Sequence, residues 1–247
     1  MTPGRAATDA RRSLKRLARP AGKFDASRYF RATDDLRFYN VGTARMRALA
    51  KSVYRANRDR WSIDDALRFA EPLVRDPYLD VKSVGIEVVA LFRRELRPPL
   101  LPIFKRWLRD GYSSNWATTD AICGYLIGPL LVCHPSAASR VAAWAGDPNM
   151  WVRRASAVSL IPSVRKGMAL DLAYAVARRL HSDPEDLIQK AVGWMLREAG
   201  KTDPKRLERY LRRNGPSIPR TTLRYAIERF GPALRHKIMI ETRQNGR

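Results

Sequence analysis

Cysteine and histidine are scarce in this chain, with two and three respectively among 247 residues. Cys123 and Cys133 would stand about 15 Å apart along a helix, too far for a disulfide. Both lie in apolar sequence, so two buried free thiols in a reducing compartment are expected. His134, His181 and His236 are widely separated and read as solvent-facing or capping, which leaves no metal site. Paired cysteines for zinc, the zinc-deaminase pattern and a glycine-rich phosphate loop are all missing, so no cofactor is expected. Strand-like alternation of β-branched residues is absent as well. The N-terminus is basic and lacks the apolar stretch of a signal peptide. The longest apolar run, Ala121 to Cys133, is 13 residues and contains Gly and Pro, which reads as a buried helix too short to span a membrane. A soluble, cytoplasmic monomer is the expectation.

Acidic residues are also few, 24 against 47 Lys and Arg, for a net charge of +23. Such an excess has to meet something anionic or be dispersed over a very soluble surface, and nucleic acid and anionic membrane are the two obvious partners. The excess is not confined to one tail. Residues 1–23 carry seven basic side chains against one acid, residues 197–247 carry fourteen against five, and the middle is basic too. That pattern favours a long charged surface. At 45% hydrophobic residues the chain can build a sizeable core, although residues 1–23, rich in Arg and Ala, read as a flexible segment or weak helix before a single domain at 24–247.

What the chain does have is an internal period. Asp147-Pro-Asn-Met-Trp-Val-Arg-Arg returns 36 residues later as Asp183-Pro-Glu-Asp-Leu-Ile-Gln-Lys, and has an echo 71 residues earlier at Asp76-Pro-Tyr-Leu-Asp-Val-Lys-Ser. Asp-Pro suits a helix start, because Asp caps free amides and Pro at the first position has no amide hydrogen to leave unpaired. Between these points helical spacing prevails, as at Val84, Val88, Leu91 and Phe92, with breakers at short intervals. Helix pairs repeating every 34–37 residues predict an all-α, curved solenoid of HEAT-like pairs with a concave basic DNA-binding face. Arg153, Arg154, Gln189 and Lys190 hold equivalent positions and should form a row on that face.

One repeat, near Asp110, departs from the phrase and reads Gly111-Tyr-Ser-Ser-Asn-Trp-Ala-Thr-Thr-Asp120. Trp116 and Asp120 fall one helical turn apart on one face. Asp120 precedes an apolar helix, with no Arg or Lys near it in sequence. A carboxylate facing a phosphate-binding groove opposes binding unless it has another task. The plainer alternatives are that Asp120 caps or pairs locally with Arg153 or Arg154, and that Trp116, Trp151 and Trp194 are core residues.

Several stretches together resemble a known family: Phe38-Tyr-Asn-Val-Gly-Thr, Asn115-Trp-Ala-Thr-Thr-Asp, Trp151-Val-Arg-Arg-Ala, Ile188-Gln-Lys-Ala-Val-Gly-Trp-Met-Leu-Arg-Glu, and Pro219-Arg-Thr-Thr-Leu-Arg-Tyr-Ala-Ile-Glu. They are similar to the AlkD-like DNA alkylation-repair glycosylases, which are built from HEAT-like repeats, over roughly residues 28–235. The run at 188–198 is the most specific. The resemblance implies removal of 3-methyladenine- and 7-methylguanine-type bases from duplex DNA without enclosing the base. It also implies a catalytic Asp120 flanked by Trp116 and Trp194, and Arg154 on backbone phosphate. Arg153, Lys190, Arg197 and Tyr29 are expected to touch DNA beside them. The chain departs from the family at Asn40, where Gly is usual, and at Gly42, where some members carry a polar residue. The runner-up function is a non-catalytic HEAT array that binds damaged or branched DNA.

Overall fold

A computed structural model of the chain describes residues 1–22, 25–31 and 36–242. It is built from α-helices, and the described residues contain no β-strand, only an isolated bridge between Arg37 and Tyr78. The chain divides into two compact units, Met1–Leu130 and Leu131–Arg247. Phe24, the expected start of the array, lies outside the described residues.

The first unit holds α1 (Pro3–Arg16), α2 (Thr43–Asn57), α3 (Ile63–Val74), α4 (Leu79–Leu91), α5 (Leu101–Arg109) and α6 (Trp116–Ile122). Helix α4 is its hub and meets α1, α2, α3 and α6. The segment 1–23, read from sequence as flexible or a weak helix, carries α1, and the reason is a stripe hidden among the arginines. Ala6, Ala7, Ala10 and Leu14 recur at helical spacing and are buried against the neighbouring helices. Arg11 then pairs with Asp76 at 2.7 Å and donates to the Pro72 carbonyl. Asp76 belongs to the first Asp-Pro phrase, so the basic segment is tied to the repeat frame.

Helix α6 runs through a π-helical turn at Cys123–Ile127 into α7 (Gly128–Cys133). This continuous run, Trp116–Cys133, has 18 residues and a mean hydropathy of 1.3, so by length and composition it could cross a membrane. The sequence reading of a run too short to span is corrected on that point. Half of the run is nonetheless buried in protein, with Ile122, Cys123, Leu126 and Ile127 fully enclosed, and that burial accounts for its apolar character. Cys123 is buried but Cys133 is exposed, so only one of the two thiols is in the expected state.

The second unit continues through α8 (Ala138–Ala142), α9 (Met150–Val158), α10 (Ile161–Val164) and α11 (Leu170–Arg179) to α12 (Asp186–Thr202), α13 (Pro204–Asn214), α14 (Arg220–Ala226) and α15 (Pro232–Glu241). Its hub is α12, which meets α9, α10, α11, α13 and α14. Glu198 on α12 is 2% exposed and receives Arg165 at 2.8 Å and Lys201 at 2.7 Å. Burial pushes its carboxyl up, but these two cations together pull it down to about 2, so it stays charged inside the joint.

His181 is not solvent-facing, as its polarity suggests, but buried, with its ring nitrogen 2.8 Å from the Tyr210 hydroxyl. Burial, and then the Arg178 charge, lower it from 6.5 to about 4. The unfolded chain therefore takes up this proton as pH falls below about 6.5, while the folded chain resists until about 4. Its contribution to stability is complete above pH 6.5 and drains away between 6.5 and 4. Urea midpoints of the wild type should fall more steeply across that window than those of His181→Gln. Parallel curves would show that this proton does not couple to folding.

Candidate nucleic-acid interface and catalytic carboxylate

The repeated Asp-Pro phrase builds the same joint three times, though not the one its sequence suggests. Each Asp turns its carboxylate onto the amide two residues ahead: Asp76 onto Tyr78 at 2.9 Å, Asp147 onto Asn149 at 3.0 Å, and Asp183 onto Glu185 at 3.1 Å. This is an Asx turn. The helices then begin three residues after the Asp, at Leu79, Met150 and Asp186, so Pro lies outside the helix and Asp is not its cap. The caps are Tyr78, Asn149 and Glu185.

This register exposes the hidden fourth copy. Asn115 caps α6 by accepting from the Thr118 amide at 2.8 Å, which places Ser113 at the Asp position and Trp116 at the helix start. The back-bond confirms it. Six residues after each Asp position a side chain returns to that residue's carbonyl: Arg153 to Asp147 at 3.1 Å, Gln189 to Asp183 at 3.1 Å, and Thr119 to Ser113 at 3.0 Å. The four copies therefore start at 76, 113, 147 and 183, at spacings of 37, 34 and 36 residues. In the first copy Lys82 instead donates to the Val74 and Tyr112 carbonyls, both at 2.7 Å, and burial lowers its ammonium to about 8.

Arg153, expected to grip phosphate, is thus committed to the joint. It bonds the Asp147 and Pro148 carbonyls and pairs with Asp183 at 2.7 Å, all in a half-buried setting. The next position along carries Ser83, Asp120, Arg154 and Lys190 in the four copies. Three of these positions hold hydrogen-bond donors. One holds a carboxylate.

Arg154 is 5% exposed, and its guanidinium donates to the Leu187 carbonyl at the start of α12. Lys190 is well exposed and pairs with Asp186 at 3.0 Å across one helical turn. Such a surface pair is weak, so Lys190 can exchange it for a phosphate at little cost. Arg197, half-buried, pairs with Glu228 and, at 3.5 Å, with Glu198. Trp194 stands half-buried on α12, one turn beyond Lys190. The preceding Gly193 faces α14 closely. A Cβ there would stand 2.5 Å from Tyr225 Cβ and 2.7 Å from the Thr222 carbonyl oxygen.

In the first unit Trp116 is locked in place. Its indole N–H donates to the Tyr29 carbonyl at 2.8 Å, and its ring stacks on Phe30 with centroids 5.4 Å apart. Tyr29 itself is 59% exposed, the most of any large apolar side chain described. These residues line a largely apolar cavity of about 540 Å³ with Phe38, Met46 and Ser83. Asp120 is half-buried one turn after Trp116, and the π-helical turn begins three residues later. Such turns are frequent at functional sites because they break the regular helix surface.

Asp80, the carboxylate among the residues lining this cavity, is spent on structure. It is 5% exposed and its two oxygens accept from the Tyr39 and Val41 amides at 2.9 and 3.0 Å. Sequence reading missed this clamp, although Asp80 sits inside the first copy of the phrase. The clamp explains both departures in the loop. Asn40 between the two amides has φ 55 and Gly42 has φ 86. Asn is among the few residues that tolerate that left-handed region, and here it also donates to the Arg19 carbonyl at 3.2 Å. No group of His, Cys, Asp and Glu among the described residues could hold a metal ion.

A family model described as a DNA alkylation repair enzyme matches residues 10–230. No curated protein matches the chain. A solved structure described as a predicted DNA alkylation repair enzyme from Enterococcus faecalis superposes with a TM-score of 0.71. The two are 17% identical, and the match covers 94% of this chain and 98% of that one. At this identity the likeness speaks for the fold, an all-helical architecture of the α-solenoid type.

Proposed function

The chain belongs to the DNA alkylation repair enzyme family, and from that premise we propose that it is a monofunctional DNA glycosylase. Its substrate is duplex DNA carrying purines alkylated at N3 or N7, and it acts as a monomer without cofactor. Alkylation at either nitrogen makes the base cationic. The glycosidic bond can then break with its electron pair passing to the base, which leaves neutral. The enzyme has no need to protonate the leaving group, and the difficulty lies in the positive charge that develops on the deoxyribose.

A fixed carboxylate answers that difficulty. Asp120 stabilises the oxocarbenium-like sugar electrostatically, and it can orient the water that adds to the anomeric carbon and accept the proton released. The two-carboxylate glycoside hydrolases use related logic, with the acid made unnecessary here by the charged base. Trp116, held by Tyr29 and Phe30, supplies a rigid aromatic surface for the same cationic sugar. Trp194 and Arg154 enter the reading through resemblance and repeat register, Trp194 as a second aromatic contact and Arg154 on phosphate. Lys190, Arg197 and the exposed Tyr29 are proposed as further DNA contacts.

The observation that carries the reading is the register. Asp120 takes the position that the other copies give to Ser83, Arg154 and Lys190. A carboxylate at a position where other copies carry donors and cations opposes phosphate, which a purely DNA-binding role does not favour. In the transition state the same charge is attractive, and only interactions stronger there than in the ground state accelerate a reaction.

The proposal is tested on an end-labelled duplex treated with a methylating agent. A monofunctional glycosylase leaves abasic sites, so strands should stay intact after incubation and break at methylated purines only after hot alkali. Tight binding with no alkali-labile sites above the no-enzyme control would support the binding-module reading instead.

A further inference from the structure

We infer a second, separate phosphate-binding site between α11 and α13, on helices that carry none of the register positions. An open cavity of about 910 Å³ lies there within the second unit. Four guanidinium groups surround it, from Arg178, Arg206, Arg209 and Arg213. Two carboxylates share the wall, and both are already in use. Asp203 caps α13 by accepting from the Arg206 amide at 2.9 Å, and Asp171 pairs with the Arg206 side chain. Arg178, Arg209 and Arg213 are exposed at the mouth. The cavity as a whole is therefore cationic.

The floor is aromatic and rigid. Tyr174 and Tyr210 are 3% and 8% exposed, with ring centroids 4.7 Å apart. Arg206 lies over the Tyr174 ring at 4.7 Å, which fixes its plane, while its Nη2 pairs with Asp171. The Tyr210 hydroxyl is satisfied by His181. The Tyr174 hydroxyl is buried and has no hydrogen-bond partner among the described residues. A buried hydroxyl left unpaired is costly, and such groups are rare in folded proteins. Here it belongs to a residue lining an arginine-rich cavity.

Guanidinium forks match phosphate oxygens in pairs, which sets this site apart from a simple positive patch. The volume exceeds that of one phosphate and suits several in succession. The ligand class is thus a chain of phosphates, either the backbone of a DNA segment or a free polyphosphate such as the tail of a nucleotide. The site is independent of the glycosylase reading, since no residue in it belongs to the proposed chemistry.

The probes are tripolyphosphate and a 24-base-pair unmodified duplex, measured on the full chain by calorimetry and anisotropy. Arg209→Ala/Arg213→Ala should weaken tripolyphosphate by roughly tenfold or more, given the strength of charge-assisted hydrogen bonds. A charge-matched control, Arg55→Ala/Arg60→Ala on the first unit, should change it by less than about threefold, the level expected from net charge alone. Tyr174→Phe should weaken the probe with an equal or higher melting temperature, because the hydroxyl it removes is unpaired. If the site takes DNA, the arginine pair variant also lowers the log–log salt slope of duplex binding by about 2, at roughly 0.9 per phosphate lost. An unchanged slope with weakened tripolyphosphate assigns the site to a free polyphosphate. Equal losses in site and control variants, or none in either with both probes, would overturn the inference.

Discussion

Asp120→Asn is expected to slow release of alkylated purines from duplex DNA by roughly a hundred- to a thousandfold or more. Asparagine keeps the shape and polarity of the side chain, so the start of α6, capped independently by Asn115, should be undisturbed. The negative charge alone is removed. In the ground state a carboxylate at the proposed DNA surface opposes phosphate, so DNA affinity should be equal or somewhat higher. Rate and affinity therefore move in opposite directions. That split separates a catalytic role from a structural one, because a misfolded variant would lose both. A variant that kept the wild-type rate would end the role assigned to Asp120. Arg153, although adjacent to Arg154 in sequence, should behave mainly as a structural residue, since its Nε and Nη1 donors are used by Asp183, Asp147 and Pro148.

Gly193→Ala is expected to cost substantial stability. Helix α12 is the hub of the second unit, and at Gly193 it approaches α14 backbone to backbone. The added Cβ would meet the Thr222 carbonyl oxygen and Tyr225 Cβ well inside van der Waals distance. Neither neighbour is the loose end of a side chain, so one helix has to shift. Overpacking of this kind costs about 1–3 kcal/mol or more, against roughly 1 kcal/mol regained from the better helix propensity of alanine. A net loss of about 2 kcal/mol corresponds to a melting temperature lower by roughly 4–8 °C for a chain of this size. Because Trp194 is the next residue, the same shift should reduce base release as well. An unchanged melting curve would mean that the two helices stand further apart than described.

The sequence carried much of this, and where it failed the reasons are physical. The all-helical class was legible because helical spacing recurs between regularly placed breakers, and the period because Asp-Pro is a conspicuous marker. The marker's role was misread by two residues, since Asp-Pro suits both a helix cap and an Asx turn and only the hydrogen bonds distinguish them. The copy at Ser113 was visible only as an exception. Its register rests on a carbonyl that accepts from Thr119, and a backbone acceptor leaves no trace in residue type. Arg153 and Arg154 look interchangeable in sequence. Adjacent helix positions point about 100° apart, and one faces the joint while the other faces the next helix. For residues 1–23 composition left a flexible segment and a weak helix both open, because seven basic side chains mask a stripe of three alanines and a leucine. His181 was misjudged because burial and pairing with Tyr210 arise from chain segments 29 residues apart.

At the candidate site, the identity of Trp116, Asp120, Arg154 and Trp194 came from motif resemblance. Their positions along the repeat came from the structure. What motif reading could not supply was the support beneath them: the Tyr29 carbonyl and Phe30 ring that fix Trp116, and the Asp80 clamp that holds the loop at Asn40. Those contacts join residues between 39 and 87 positions apart.

The most direct measurement is mass spectrometry of the small molecules released when methylated duplex DNA is incubated with excess protein. With the wild type, free 7-methylguanine and 3-methyladenine should accumulate in a single-turnover time course, while Asp120→Asn stays at the no-enzyme background. Wild-type protein that binds this DNA and releases neither base, or an Asp120→Asn time course that overlays the wild type, would contradict the account.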